Sequence, residues 1–88
     1  MDSRFEKLYG QLKLEDWPRL YFFKFISPSD SRSIALITGL FNDENNITMR
    51  PSSKGSYTSI SIKEVMMSAE DVITIYEKAA QIEGVISL

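Results

Sequence analysis

The chain has 88 residues and a formal net charge of -2, with 43% hydrophobic and 25% charged residues. That length supplies one core and one domain, and the balance is that of a globular protein. Cysteine and histidine are both absent, which excludes disulfides, thiolate metal sites, imidazole catalysis and the commonest zinc ligand.

The chain opens Met1-Asp2-Ser3-Arg4-Phe5-Glu6, without the basic-then-apolar order of a signal peptide, so a cytoplasmic location is expected. No apolar run is long enough for a membrane helix, so no membrane association is expected. Phe5, Leu8, Tyr9 and Leu12 recur at helical spacing, which predicts a short N-terminal helix over residues 3–13, capped by Asp2 or Ser3. Pro18 ends it, and Trp17 is expected to anchor the connector to the core.

Leu20-Tyr21-Phe22-Phe23-Lys24-Phe25-Ile26 reads as a strand. Its alternation assigns Tyr21, Phe23 and Phe25 to the core and Phe22, Lys24 and Ile26 to an open face. Ser29, Asp30 and Ser31 supply N-cap chemistry for a helix carrying Ile34, Ile37, Leu40 and Phe41, with Leu36 broadening the stripe. Asn42-Asp43-Glu44-Asn45-Asn46 follows as a polar loop. It lacks the ligand spacing and glycine of a calcium loop, and no metal or other cofactor is expected.

Ile47-Thr48-Met49-Arg50 predicts a short strand, and Pro51 to Ser56 a turn in which Gly55 takes positive φ. Tyr57 to Lys63 carries the cleanest alternation: Thr58, Ile60 and Ile62 inward, with Tyr57, Ser59, Ser61 and Lys63 outward. Ser52, Ser53, Lys54 and Gly55 resemble a phosphate cradle only superficially, because the turn joins two strands and no helix follows. Ser68-Ala69-Glu70-Asp71 opens a helix with Val72, Ile75, Tyr76, Ala79 and Ile82 on one face. Gly84 stands at the expected C′ position, and Val85 to Leu88 reads as a final strand.

The resulting fold class is α+β. The order β-α-β-β-α-β predicts a ferredoxin-like sandwich in a single domain, 1–88: a four-stranded antiparallel sheet with two helices on one face, preceded by the N-terminal helix.

Arg50-Pro51-Ser52-Ser53-Lys54-Gly55, then Tyr57-Thr58-Ser59-Ile60-Ser61-Ile62, Val72 to Glu77 and Gly84 to Leu88 resemble the YbeD-like family of small uncharacterised bacterial proteins. Phe23-Lys24-Phe25-Ile26 looks like that family's first strand. The resemblance covers most of residues 20–88. It implies a ferredoxin-like fold similar to the ACT regulatory domains of amino-acid metabolism, and no established activity. The chain departs from the pattern at Ser27-Pro28-Ser29, where a glycine-containing turn is expected, and this argues against amino-acid binding at that loop. Glu64 replaces a usual β-branched residue, so the strand is expected to bulge or end there, and the N-terminal helix is expected to lie outside the shared pattern.

The candidate binding surface is Lys24, Arg50, Lys54, Tyr57, Ser59 and Ser61. Lysine and arginine beside hydroxyls suit an anion or a partner's carboxylates, with Arg50 able to make a bidentate contact. The competing reading is a solvated sheet face whose serines and lysines serve solubility and edge protection. The expected function is a non-catalytic regulatory or adaptor domain that binds a protein partner or small effector; a homodimer through the sheet would cover Phe22 and Ile26. Two alternatives are an RNA-binding module of RRM topology and a small enzyme using lysine and tyrosine. Lys54-Gly55-Ser56-Tyr57 only partly echoes the RRM pattern, and the acidic chain argues against nucleic acid. No nucleophile arrangement supports the enzyme.

Overall fold

The computed structural model describes residues 3–42 and 46–88. The expected cap Asp2 and the loop residues Asp43, Glu44 and Asn45 lie outside the described residues. A 3-10 turn over Ser3–Phe5 leads into α1 (Glu6–Leu12). There follow β1 (Arg19–Pro28), α2 (Ser31–Thr38), β2 (Ile47–Pro51), β3 (Tyr57–Met66), α3 (Ala69–Ala80) and β4 (Ile86–Ser87). The protein is therefore α+β. Its four strands form one antiparallel sheet in the order β2-β3-β1-β4.

The aromatic run places β1 at the centre of the sheet, where it pairs with β3 along its whole length, from Arg19 opposite Met66 to Pro28 opposite Tyr57. Alternation decides what each face holds. Phe23, Phe25, Ile60 and Ile62 point inward and are buried, as expected. The core is aromatic at its middle: Phe23 lies 5.1 Å from Phe41 and 5.4 Å from Tyr76, ring centre to ring centre. α3 lies on the inner face and buries Val72, Ile73, Ile75, Tyr76 and Ala79 against the sheet.

Both long helices begin on predicted caps. Asp30 Oδ1 accepts the Ser33 backbone N–H at 2.7 Å, and Ser68 Oγ accepts that of Asp71 at 3.1 Å. α1 docks as its apolar spacing required: Leu12 is buried, Phe5 stacks on Tyr76 at 5.9 Å, and Tyr9 Oη donates to Glu70 at 2.6 Å. Trp17 fastens the connector by donating its indole N–H to the Leu12 carbonyl at 3.0 Å.

Several expectations are corrected. α2 ends at Thr38, so Leu40 and Phe41 lie in the turn after it, where Phe41 still drops into the core. Leu36 is exposed because Ile37 alone occupies the buried line of that short helix. β3 neither bulges nor stops at Glu64, which pairs with Tyr21 in continuous register. The carboxylate is tolerated on the inner face because it sits near the end of the sheet and accepts the Asn42 N–H at 3.0 Å. Gly84 does adopt positive φ, at 81°, but not as the C′ of α3, whose C-cap is Gln81. It occupies the third position of a separate turn closed by Val85 N–H to Ile82 carbonyl.

Candidate functional site

The helices cover one face of the sheet and leave the other open. Register places its residues in rows. Arg50, Ser59, Ile26 and Ile86 stand side by side across β2, β3, β1 and β4. The next row holds Thr48, Ser61 and Lys24, and Leu88 donates its N–H to the Lys24 carbonyl at 2.9 Å. Phe22 opposes Lys63 one row further, and Leu20 opposes Val65 beyond that. Arg50 thus joins the face, as the alternation required if the hairpin paired in register.

The predicted residues do not converge. Tyr57 stands at one end of β3 opposite Pro28, while Lys63 is six residues along the same strand, a span of about 20 Å. Lys54 holds no register position, because it lies in the β2–β3 turn between Ser52 and Gly55. That turn is a structural hairpin. Gly55 takes φ 74°, its N–H donates to the Ser52 carbonyl at 3.0 Å, and the Ser52 N–H donates to the Tyr57 carbonyl at 2.7 Å.

The turn also has a second role that spacing did not reveal. The Ser56 carbonyl accepts the Ser29 N–H at 3.1 Å, and the Ser29 and Thr58 hydroxyls are 2.9 Å apart. The hairpin tip is therefore tied to the corner where β1 passes into α2. This explains why polar Ser27 and Thr58 are buried there: Ser27 Oγ donates to the Pro28 carbonyl at 2.9 Å, and Thr58 meets Ser29.

The open face holds a depression of about 520 Å³ whose lining includes Phe22, Lys24, Asn46, Thr48, Ser61, Lys63 and Leu88. Lys24 and Ser61 belong to it, whereas Arg50, Ser59 and Tyr57 lie in other rows. Its neighbourhood is apolar as well as basic: Phe22 is 68% exposed, Leu88 66% and Val65 59%. Leu20, Val65, Ile86 and Leu88 were not among the candidates. For Leu20 and Val65 the signal was present in the parity of β1 and β3, Val65 standing just past the stretch whose alternation is clean; Ile86 and Leu88 reach the face only through the pairing of β4 with β1.

Groups with displaced proton affinity lie away from this face. Burial and the Tyr21 hydroxyl push the Tyr76 phenol up. The hydrogen bond to Glu70 raises Tyr9, and the same bond lowers Glu70. Asp30 is lowered by the Ser33 N–H it accepts. Among the described residues, no cluster of three or more acidic side chains is placed to hold a metal ion, and no helix is long and apolar enough to cross a membrane.

The fold and its open face define a small α+β domain with a central aromatic strand and a mixed basic and apolar sheet surface. The chain belongs to the family described as Protein of unknown function (DUF493), whose model matches residues 13–88. This is the YbeD-like family to which the Arg50–Gly55 motif pointed. The chain is 27% identical over 89 residues to a UPF0250 protein of Shewanella piezotolerans, covering 97% of this chain and 94% of that protein. It is 30% identical over 89 residues to one of Shewanella putrefaciens, with the same coverage. A third, from Shewanella oneidensis, is 30% identical over 77 residues, covering 83% and 88%. The family model begins after α1, so that helix lies outside the matched family segment, while alignments covering 97% of this chain take in its residues. No solved structure matches.

Proposed function

We propose that this protein is a non-catalytic binding domain, regulatory or adaptor in role, that takes a protein partner on its open sheet face. One observation carries the reading: Leu20, Phe22, Val65, Ile86 and Leu88 are exposed together on the side of the sheet that the helices leave uncovered. Grouped apolar exposure of this kind marks an interaction surface. Its basic and hydroxyl groups are spread along the strands rather than gathered around one point, which favours an extended partner over a small effector. The solvated-face alternative accounts for Ser59, Ser61 and the lysines but not for Phe22.

The test is photo-crosslinking in the native cell. Benzoylphenylalanine in place of Phe22 is expected to give a discrete adduct with another protein. The same group in place of Lys78, on the exposed side of α3, is expected to give none. Absence of a protein adduct at position 22 would remove the proposal.

A further inference from the structure

We infer that the partner segment is acidic, setting carboxylates against Lys24, Lys63 and Arg50 and an apolar side chain against Phe22. This inference rests on the binding-face reading and names the chemistry of what binds.

The charged side chains at the strands' open-face positions are of one sign. Lys24, Lys63 and Arg50 take open-face positions on β1, β3 and β2, and among the described residues no Asp or Glu does. The chain as a whole is at -2, so a basic face stands on an otherwise acidic molecule. Such segregation steers and orients an oppositely charged partner. The geometry ties the charge to the apolar contact: Lys63 is the cross-strand neighbour of Phe22, and Lys24 follows two residues along β1 on the same side. A partner side chain seated on Phe22 therefore has a lysine rooted on two sides of it, at roughly 5–7 Å from Phe22 between Cβ positions. Carboxylates flanking an apolar residue fit that spacing.

Two other occupants fit less well. A second copy docked by twofold symmetry would bring the same face against itself, basic against basic. Single-stranded RNA needs successive stacking platforms. Phe22 and Tyr57 are the exposed aromatics of this face, and they stand three rows apart with Ile26, Ser59, Lys24 and Ser61 between. The aliphatic surroundings, Leu20, Val65 and Leu88, suit side chains rather than bases.

The test selects random dodecapeptides on the immobilised full chain and, in parallel, on the Lys24→Glu/Lys63→Glu chain. The wild type is expected to enrich peptides with Asp or Glu flanking one aromatic or aliphatic residue. The synthesised consensus should bind it about tenfold or more tightly than the reversed chain, and less tightly as salt rises. Circular dichroism checks the fold, and Lys24→Ala/Lys63→Ala replaces the reversal should that chain unfold. A neutral or basic consensus, the same consensus on both chains, or no enrichment overturns the inference. So does tighter binding of an oligouridylate, or a sedimenting dimer that Phe22→Ser dissolves. A protein adduct at position 22 alongside a failed selection would leave the binding face standing and remove only its acidic partner.

Discussion

The hydroxyls of Tyr21 and Tyr76 meet at 3.2 Å across the boundary between β1 and α3, one donating to the other. Tyr21 lies at the end of the inner aromatic row and Tyr76 is buried on α3, so the bond spares two phenols an unpaired hydroxyl. Burial, and then this bond, raise Tyr76 above the ordinary 10.0. The neutral phenol is thus favoured in the folded state. Its contribution is complete below about pH 10 and is lost as pH rises toward the folded value. Tyr76→Phe is expected to cost about 1 kcal/mol at neutral pH. It should also flatten the decline of stability above about pH 10, leaving the smaller share due to Tyr9. Urea unfolding across that range reads both effects, and an unchanged alkaline slope would place its origin elsewhere.

Three glycines make a graded series. A Cβ on Gly84 would stand 2.8 Å from Pro28 Cγ at φ 81°, whereas Gly55, at φ 74°, has open space around it. Gly84→Ala is expected to lose about 1–2 kcal/mol from the left-handed backbone alone, and more from the displaced proline ring. Gly55→Ala should lose only the backbone part. Gly10, inside α1 with nothing within 4 Å, runs the other way: Gly10→Ala should gain up to about 1 kcal/mol. Urea midpoints that fail to follow the order Gly10→Ala, wild type, Gly55→Ala, Gly84→Ala would contradict this account.

The two helix caps differ in pH dependence. The Asp30 carboxylate is lowered by accepting the Ser33 N–H, so its contribution is present above the ordinary 3.8 and lost as pH falls through the folded value. Asp30→Ala should lower the melting temperature at neutral pH, and the gap to wild type should close in acid. The Ser68 hydroxyl does not titrate. Ser68→Ala should cost about 1 kcal/mol at either pH. Parallel acid profiles for the two variants would be inconsistent with a charge-dependent cap at Asp30.

The parts of the molecule that follow from local periodicity were legible in the sequence. β1 and β3 alternate strictly, and their pairing confirms both faces; Asp30 and Ser68 cap as their positions require. What escaped depends on the tertiary arrangement. Glu64 looks like a strand breaker until Asn42 is seen to satisfy it. Ile73 falls off the single stripe drawn for α3, yet is buried because that helix lies deep enough on the sheet to cover more than one line of side chains. Phe41 reads as helical because it continues the spacing, but its place in the core is reached from a turn. The apolar half of the open face was also hidden, since Ile86 and Leu88 join it only through the pairing of a two-residue strand with β1.

Phe22 and Phe23 are chain neighbours of identical chemistry, 68% and 1% exposed respectively. Phe23→Ala opens a cavity among Phe25, Phe41 and Tyr76 and is expected to cost about 3–5 kcal/mol, a large share of the stability of so small a domain. Phe22→Ser removes a side chain that water already reaches, so its unfolding midpoint should stay within about 0.5 kcal/mol of wild type. The two variants separate the roles of the strand's two faces. If the open face serves binding, Phe22→Ser should keep the fold and lose the peptides selected on the wild type, while any loss in Phe23→Ala should track its unfolded fraction. A Phe22→Ser chain that is as destabilised as Phe23→Ala would show instead that this ring belongs to the core.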